Sequence, residues 1–155
     1  MTRKMNRLER QLSVEEATAL LAGGKEGVLA VNGDDGYPYA VPVNYVYLDG
    51  AIYIHTAQRG YKIDAIQANP KVCFTAVLSS EIIEETTTTK FESVIATGTA
   101  ALLTDEAEKK QIMEVIVRRL APNNIEGGMR TVERLLPAVG VIKINVAELT
   151  GKAHQ

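Results

Sequence analysis

Asn32-Gly-Asp-Asp-Gly36-Tyr-Pro-Tyr-Ala-Val-Pro-Val-Asn-Tyr-Val-Tyr-Leu48-Asp-Gly50 is the stretch on which the fold turns. Turn-forming residues crowd its first five positions and Asp49-Gly50 closes it, so a strand over 37–48 lies between two tight turns. Val41, Val43, Tyr45 and Tyr47 alternate there with Pro42, Asn44 and Val46, which gives one face to packing and leaves the other for a ligand. Pro42 has no N–H for a ladder and predicts an edge, a bulge or an interruption of pairing. The apolar run 27–31 precedes the first turn and makes a hairpin with this strand, and 51–56 follows the second turn as the next strand.

The same reading extends in both directions. Ser13-Val-Glu-Glu16 has the form of a capping box and opens a helix through about Ala22, stopped by Gly23-Gly24. A short helix over 62–68 ends at Asn69-Pro70, because the residue before proline avoids helical geometry. A strand is expected over 72–78 and another over 91–103, where Gly98 marks a bulge or a close approach. Between them, 79–90 carries Glu81, Glu84, Glu85 and four consecutive threonines and reads as a loop or strand margin. Asp105 with Glu108 resembles a helix start, and Ile112, Met113, Ile116, Val117 and Leu120 follow at helical spacing up to Ala121-Pro122. A turn-rich connection over 123–128, a short helix over 129–136 and a last strand over 139–149 complete the chain.

Hairpin-connected strands with inserted helices predict a mainly β (α+β) fold, a small antiparallel barrel with peripheral helices. No Gly-x-Gly-x-x-Gly follows a strand, which argues against a dinucleotide-binding α/β fold. The length of 155 residues fits one domain over 1–155, with 1–8 as a flexible terminus. A formal net charge of −2 gives no electrostatic case for nucleic acid. Cys73 is the only cysteine, so no intrachain disulfide can form. With no secretory or membrane-spanning apolar run, the expected location is cytoplasmic, away from membranes.

The chemistry concentrates in Tyr53-Ile-His-Thr-Ala-Gln-Arg-Gly-Tyr-Lys62. A strand ending on His55 passes a polar turn and enters a helix carrying Lys62. Thr56, Arg59, Lys62 and the N–H groups after Gly60 could hold a phosphate through charge-assisted hydrogen bonds. The bland alternative is a surface helix with a solvated lysine. His55 shares a face with Tyr53, opposite Ile52 and Ile54; a lone strand histidine is commonly structural, and its functional role would be proton donor or substrate orienter. The only other histidine is His154, so no metal site takes shape. No nucleophile elbow, Walker loop or paired cysteine motif is present, so in an enzyme a bound cofactor would carry the hard step.

Six segments in order then resemble a known family: Gly36 to Tyr47 as quoted, Ile52-Tyr-Ile-His-Thr-Ala57, Gly60-Tyr-Lys62, Asn69-Pro-Lys-Val-Cys-Phe74, Lys90-Phe-Glu-Ser-Val-Ile95 and Leu149-Thr-Gly-Lys152. Together they are similar to the FMN-binding split barrels of the pyridoxamine 5'-phosphate oxidase-like superfamily, and more narrowly to the nitroimidazole-resistance (Nim) flavoproteins, over residues 7–153. The resemblance implies a six-stranded antiparallel split β-barrel that forms a homodimer with FMN at the subunit interface and a small-molecule electron acceptor. It places Val43, Asn44 and Tyr45 along the isoalloxazine, partly through backbone groups. His55, Thr56, Ala57 and Lys62 would surround the phosphate end or the adjoining substrate space. Lys90, Glu92 and Ser93 would approach from the neighbouring strand or the partner subunit, and His55 would be the catalytic residue. The chain departs from the pattern in having threonine throughout 86–89, where Nim-like sequences often carry a cysteine, and in lacking the Arg-rich strand and C-terminal substrate segment of the oxidases proper. The activity implied is FMN-dependent reduction of nitroimidazoles or other nitroaromatics. A flavin-binding or flavin-sensing module without turnover is the alternative, and haem or a deazaflavin in the same barrel a further one.

Overall fold

Tyr45 divides the strand expected over 37–48 into two, and the architecture follows from that break. A computed structural model describes residues 3–155. In chain order the elements are α1 (Val14–Gly23), β1 (Glu26–Asn32), β2 (Pro38–Asn44), β3 (Val46–Leu48), β4 (Ala51–Ala57), α2 (Tyr61–Ala68), β5 (Lys71–Ile83), β6 (Thr88–Leu102), α3 (Glu106–Leu120), α4 (Ile125–Leu135) and β7 (Val139–His154). The strands form one sheet in the order β2-β1-β5-β6-β7-β4-β3, and every pairing is antiparallel. Its two edge strands are neighbours in sequence, so the sheet must curl until its edges meet at Tyr45. The expected six strands are therefore seven by hydrogen bonding: the second breaks in two, and no ladder joins β2 to β3.

Tyr45 occupies the junction from inside. It is 1% exposed, its ring packs edge-on against Phe74 at 4.8 Å, and its phenol donates a 2.6 Å hydrogen bond to the Leu21 carbonyl at the end of α1. Its backbone N–H donates to the Lys25 carbonyl, so it stays bonded beside β1. Gly24 is required at that contact, because a Cβ there would collide with the Tyr45 phenol and press on Leu78. The alternation read in the sequence is the observed one: Val41, Val43, Tyr45 and Tyr47 belong to or pack on the barrel core with Ile52, Ile54, Phe74, Val94, Ile142 and Ile144. Val46 and Tyr53 face a second core formed with Ile112, Met113, Ile116 and Val132 of α3 and α4.

Local signals explain the element ends. Ser13 and Glu16 form both halves of the capping box, and Asp105 caps α3. Pro42 lies on β2, an edge strand. The register slips between Thr97 and Gly98, where a Cβ would collide with the Asn145 carbonyl, so Gly98 marks both a bulge and a close approach.

Two expectations are corrected. The segment 79–90 is not a loop: β5 runs to Ile83 and β6 starts at Thr88, with Glu81 opposite Lys90 and Ile82 opposite Thr89. That arm is exposed, Ile82 being 73% so, and an arm that buries nothing has no alternating pattern to read. The connection 123–128 is largely helical, since α4 begins at Ile125. Its glycines looked like a turn, yet Gly128 serves helix packing: a Cβ there would strike Val117 of α3. Of the terminus expected to be flexible over 1–8, positions 1 and 2 lie outside the described residues. Leu8–Arg10 forms a 3₁₀ turn, and Gln11 bridges to Lys152.

The buried phenol sets a testable pH dependence. Desolvation, offset in part by Arg119, pushes the Tyr45 hydroxyl from 10.0 up to about 12. A folded-state value above the unfolded one gives stability that is complete below pH 10.0 and is lost as pH rises towards about 12. Tyr45→Phe is expected to cost about 1–2 kcal/mol in urea unfolding at neutral pH. The gap between wild type and variant should shrink across that alkaline window; a gap independent of pH would refute the assignment.

Candidate functional site

β4 leaves the sheet at Ala57, and Gly60 turns the chain into α2 with φ +143°, a conformation open to glycine. No side chain caps α2, and its first internal backbone bond runs from the Asp64 N–H to the Gly60 carbonyl at 3.1 Å. The N–H groups before Asp64 thus stand at the positive end of the helix without partners from it. Lys62 is half-buried in the first turn and Arg59 is exposed one residue before Gly60. Neither forms an ion pair among the described residues. Thr56, on the strand leading in, has a hydroxyl oxygen sealed from solvent with no hydrogen-bond partner. An orphaned hydroxyl, two cations and an uncapped helix end are the donor set a phosphate monoester takes.

The loop carrying this cradle is fixed. Gln58 donates from Nε2 to the Pro137 and Val139 carbonyls at 3.0 and 3.2 Å. Lys109, 4% exposed, donates to the same Val139 carbonyl at 3.0 Å and pairs with Glu106 at 3.1 Å. On the other side Tyr61 donates a 2.9 Å bond to Asp34 Oδ1 and accepts one of 3.0 Å from the Asp34 N–H. Its ring stacks on Tyr39 of β2 at 4.9 Å and 4°. Sequence reasoning missed Gln58, Tyr39 and Asp34, since nothing local in the sequence pairs residues that distant. Tyr61, beside Lys62, was the one signal within reach.

The residues expected from the sequence do not fall in one place. Thr56, Ala57 and Lys62 lie along the turn from β4 into α2, but His55 does not share the face of Thr56. It points to the opposite side of β4 from Thr56, on the Tyr53 side, is exposed, and has no hydrogen-bond partner among the described residues. Val43 and Asn44 line a groove of about 420 Å³ with Gly27, Val28, Pro42 and Val77 across the outer faces of β2, β1 and β5. The Asn44 amide donates to the Lys25 carbonyl at 3.2 Å. The Tyr45 side chain lies in the core, leaving only its backbone for a ligand. Lys90, Glu92 and Ser93 sit at the far end of β6, where Glu92 accepts a 3.0 Å bond from Ser79 and a groove of about 250 Å³ opens beside Phe91 and His154. α2 packs near Ala100 and Leu102 of the same strand, so roughly 30 Å of extended chain separates Lys90 from it. One subunit does not bring these groups together. Among the described residues no group of three His, Cys, Asp or Glu side chains could hold a metal ion, and no helix is long and apolar enough to cross a membrane.

A split barrel whose second strand breaks at a buried tyrosine, with an uncapped helix N-terminus after the fourth, defines the class. The chain belongs to the pyridoxamine 5'-phosphate oxidase family, which it matches over residues 13–153. No curated protein matches it. Among solved structures it is similar to a candidate 5-nitroimidazole antibiotic resistance protein of Bacteroides thetaiotaomicron, with 22% identity and TM-score 0.76 over 92% of this chain and 85% of that one. It is also similar to the flavocytochrome Anf3 of Azotobacter vinelandii, with 21% identity and TM-score 0.80 over 99% and 73%. A third, an FAD-binding protein of Mesorhizobium loti, gives 23% identity and TM-score 0.71 over 94% and 98%. These likenesses establish the fold.

Thr56→Val separates binding from folding. Removing a sealed, unpartnered hydroxyl while keeping the shape is expected to raise the ligand-free protein's stability by about 1 kcal/mol in urea unfolding. The same change should weaken phosphate-ligand binding. A loss of stability instead would mean the hydroxyl is satisfied within the fold.

Proposed function

We propose that the chain is a homodimeric FMN-binding oxidoreductase of the nitroimidazole-resistance type, passing electrons from a reduced nicotinamide to a small nitroaromatic acceptor. The observation that carries this reading is the α2 cradle, with its orphaned Thr56 hydroxyl, uncapped N–H groups and unpaired Lys62. Family membership and the flavin-binding relatives support a flavin as the phosphate-bearing ligand. When bound, the flavin supplies the two-electron chemistry. Lys62, Arg59 and the helix amides hold its phosphate, and Thr56 donates to a phosphate oxygen. Val43, Asn44 and the Tyr45 backbone lie along the ring, Ala57 flanks the phosphate end, and His55 delivers a proton to the reduced acceptor.

The homodimer rests on two observations. The outer face of β5 and β6 leaves Val77 64% and Ile95 51% exposed, beside Val28 and Ala30. Lys90, Glu92 and Ser93 are too far from α2 to serve the same subunit, and a second copy packed on that face would let them serve its site.

The purified protein is expected to be yellow, with flavin absorbance, and to sediment as a dimer. Lys62→Ala should weaken FMN binding by about 10- to 100-fold, the cost of a charge-assisted hydrogen bond. A colourless protein that takes up no added FMN would reject the proposal, and haem or a deazaflavin would declare itself in the same spectrum. The exposed, unpartnered His55 favours a second reading, a flavin-binding module without turnover. Flavin that is reduced by a nicotinamide yet not reoxidised by a nitro compound would select the module.

A further inference from the structure

We infer that the stacked pair Tyr39–Tyr61 is a platform for the adenine base of a nucleotide whose phosphate lies at the α2 cradle. This rests on the phosphate-site reading and extends it to a second aromatic group, which FMN lacks. The rings are parallel within 4° at 4.9 Å, and Tyr61 is locked by bonds to the Asp34 carboxylate and backbone N–H. Although each covers a face of the other, Tyr39 stays 38% and Tyr61 39% exposed, and Tyr37, two residues before Tyr39, is 75% exposed. Aromatic surface held rigid yet left open has already lost the freedom that binding would otherwise cost it. A purine stacks on such a surface through its π-face, whatever its edge.

Charge sets the direction of the bound nucleotide. Tyr61 is the first residue of α2, so its backbone end lies in the positively polarised first turn that also carries Lys62. At its hydroxyl end stand Asp34 and Asp35 in the β1–β2 turn, where Asp35 Oδ1 accepts from the Tyr37 N–H at 3.0 Å. Carboxylates repel phosphate and accept from amino and ribose hydroxyl groups. The phosphate is therefore drawn to the cations and the adenosine end to the tyrosines and aspartates. Two ligands carry that chemistry, the adenylate half of FAD and that of a nicotinamide dinucleotide.

A competition on the full-length protein tests the inference. Protein equilibrated with equimolar FMN and FAD is desalted, and the retained flavins are separated and counted. If the base belongs to FAD, wild type retains FAD over FMN by about tenfold, Tyr39→Leu brings the ratio close to one, and Tyr39→Phe preserves it. If it belongs to the donor, the retained ratio is near one throughout, and calorimetric NADH affinity for the FMN-loaded protein falls about tenfold in Tyr39→Leu alone. A ratio near one with NADH affinity unchanged by Tyr39→Leu overturns the inference and leaves the flavin site standing. Equal loss of FMN and FAD from Tyr39→Leu also overturns it, assigning Tyr39 to the fold. Retention of neither flavin by wild type refutes the cradle itself.

Discussion

The bond from the Tyr45 phenol to the Leu21 carbonyl is the constraint on which the rest of the structure depends. Tyr45 is where one strand changes partners, from β1 on one edge of the sheet to β4 on the other. A chain that changes partners must break its ladder, and the buried tyrosine fills the break with a ring and ties it to α1. Arg119 of α3 donates to the Gly23 carbonyl beside the same helix end, so α3 is held to that corner too. With the edges joined there, β4 emerges at a fixed height beside β2, and the loop from Ala57 to Gly60 begins from a defined point. The cradle is thus positioned by a core residue that does not belong to it through its side chain.

Much of the fold was legible because burial imposes a period. The alternation over 41–47 assigned faces correctly, since one face meets the barrel core and the other meets solvent or α3. Ser13, Asp105, Pro42 and Gly98 were readable because each has a narrow set of backbone roles. Where burial is absent the signal fails, as in the exposed arm around Ile82. It also fails where one residue type serves two purposes: Gly128 looks like part of a turn and in fact packs against Val117 of α3.

The site was legible in part for the same reason. Thr56, Arg59 and Lys62 are close in sequence, so a local reading can group them as a candidate. Tyr39 and Tyr61 lie in different elements and meet only in the folded chain, ring on ring. The clamp of Gln58 on Pro137 and Val139 is more distant still. Neither carries a pattern that a single sequence displays, since a pair contact leaves no periodicity.

Strand geometry also separates roles that adjacency in sequence seems to merge. His55 and Thr56 are neighbours, yet a period of two sends them to opposite faces of β4. Thr56 follows Ile52 and Ile54 towards the barrel interior, where its hydroxyl is sealed; His55 follows Ala51 and Tyr53 to the outer side and reaches solvent. In the function proposed above, anchoring falls to the helix end and proton delivery to the outer face. The division is set by the two-residue pleat, and shifting β4 by one residue against β7 would exchange the two roles and expel the core at once.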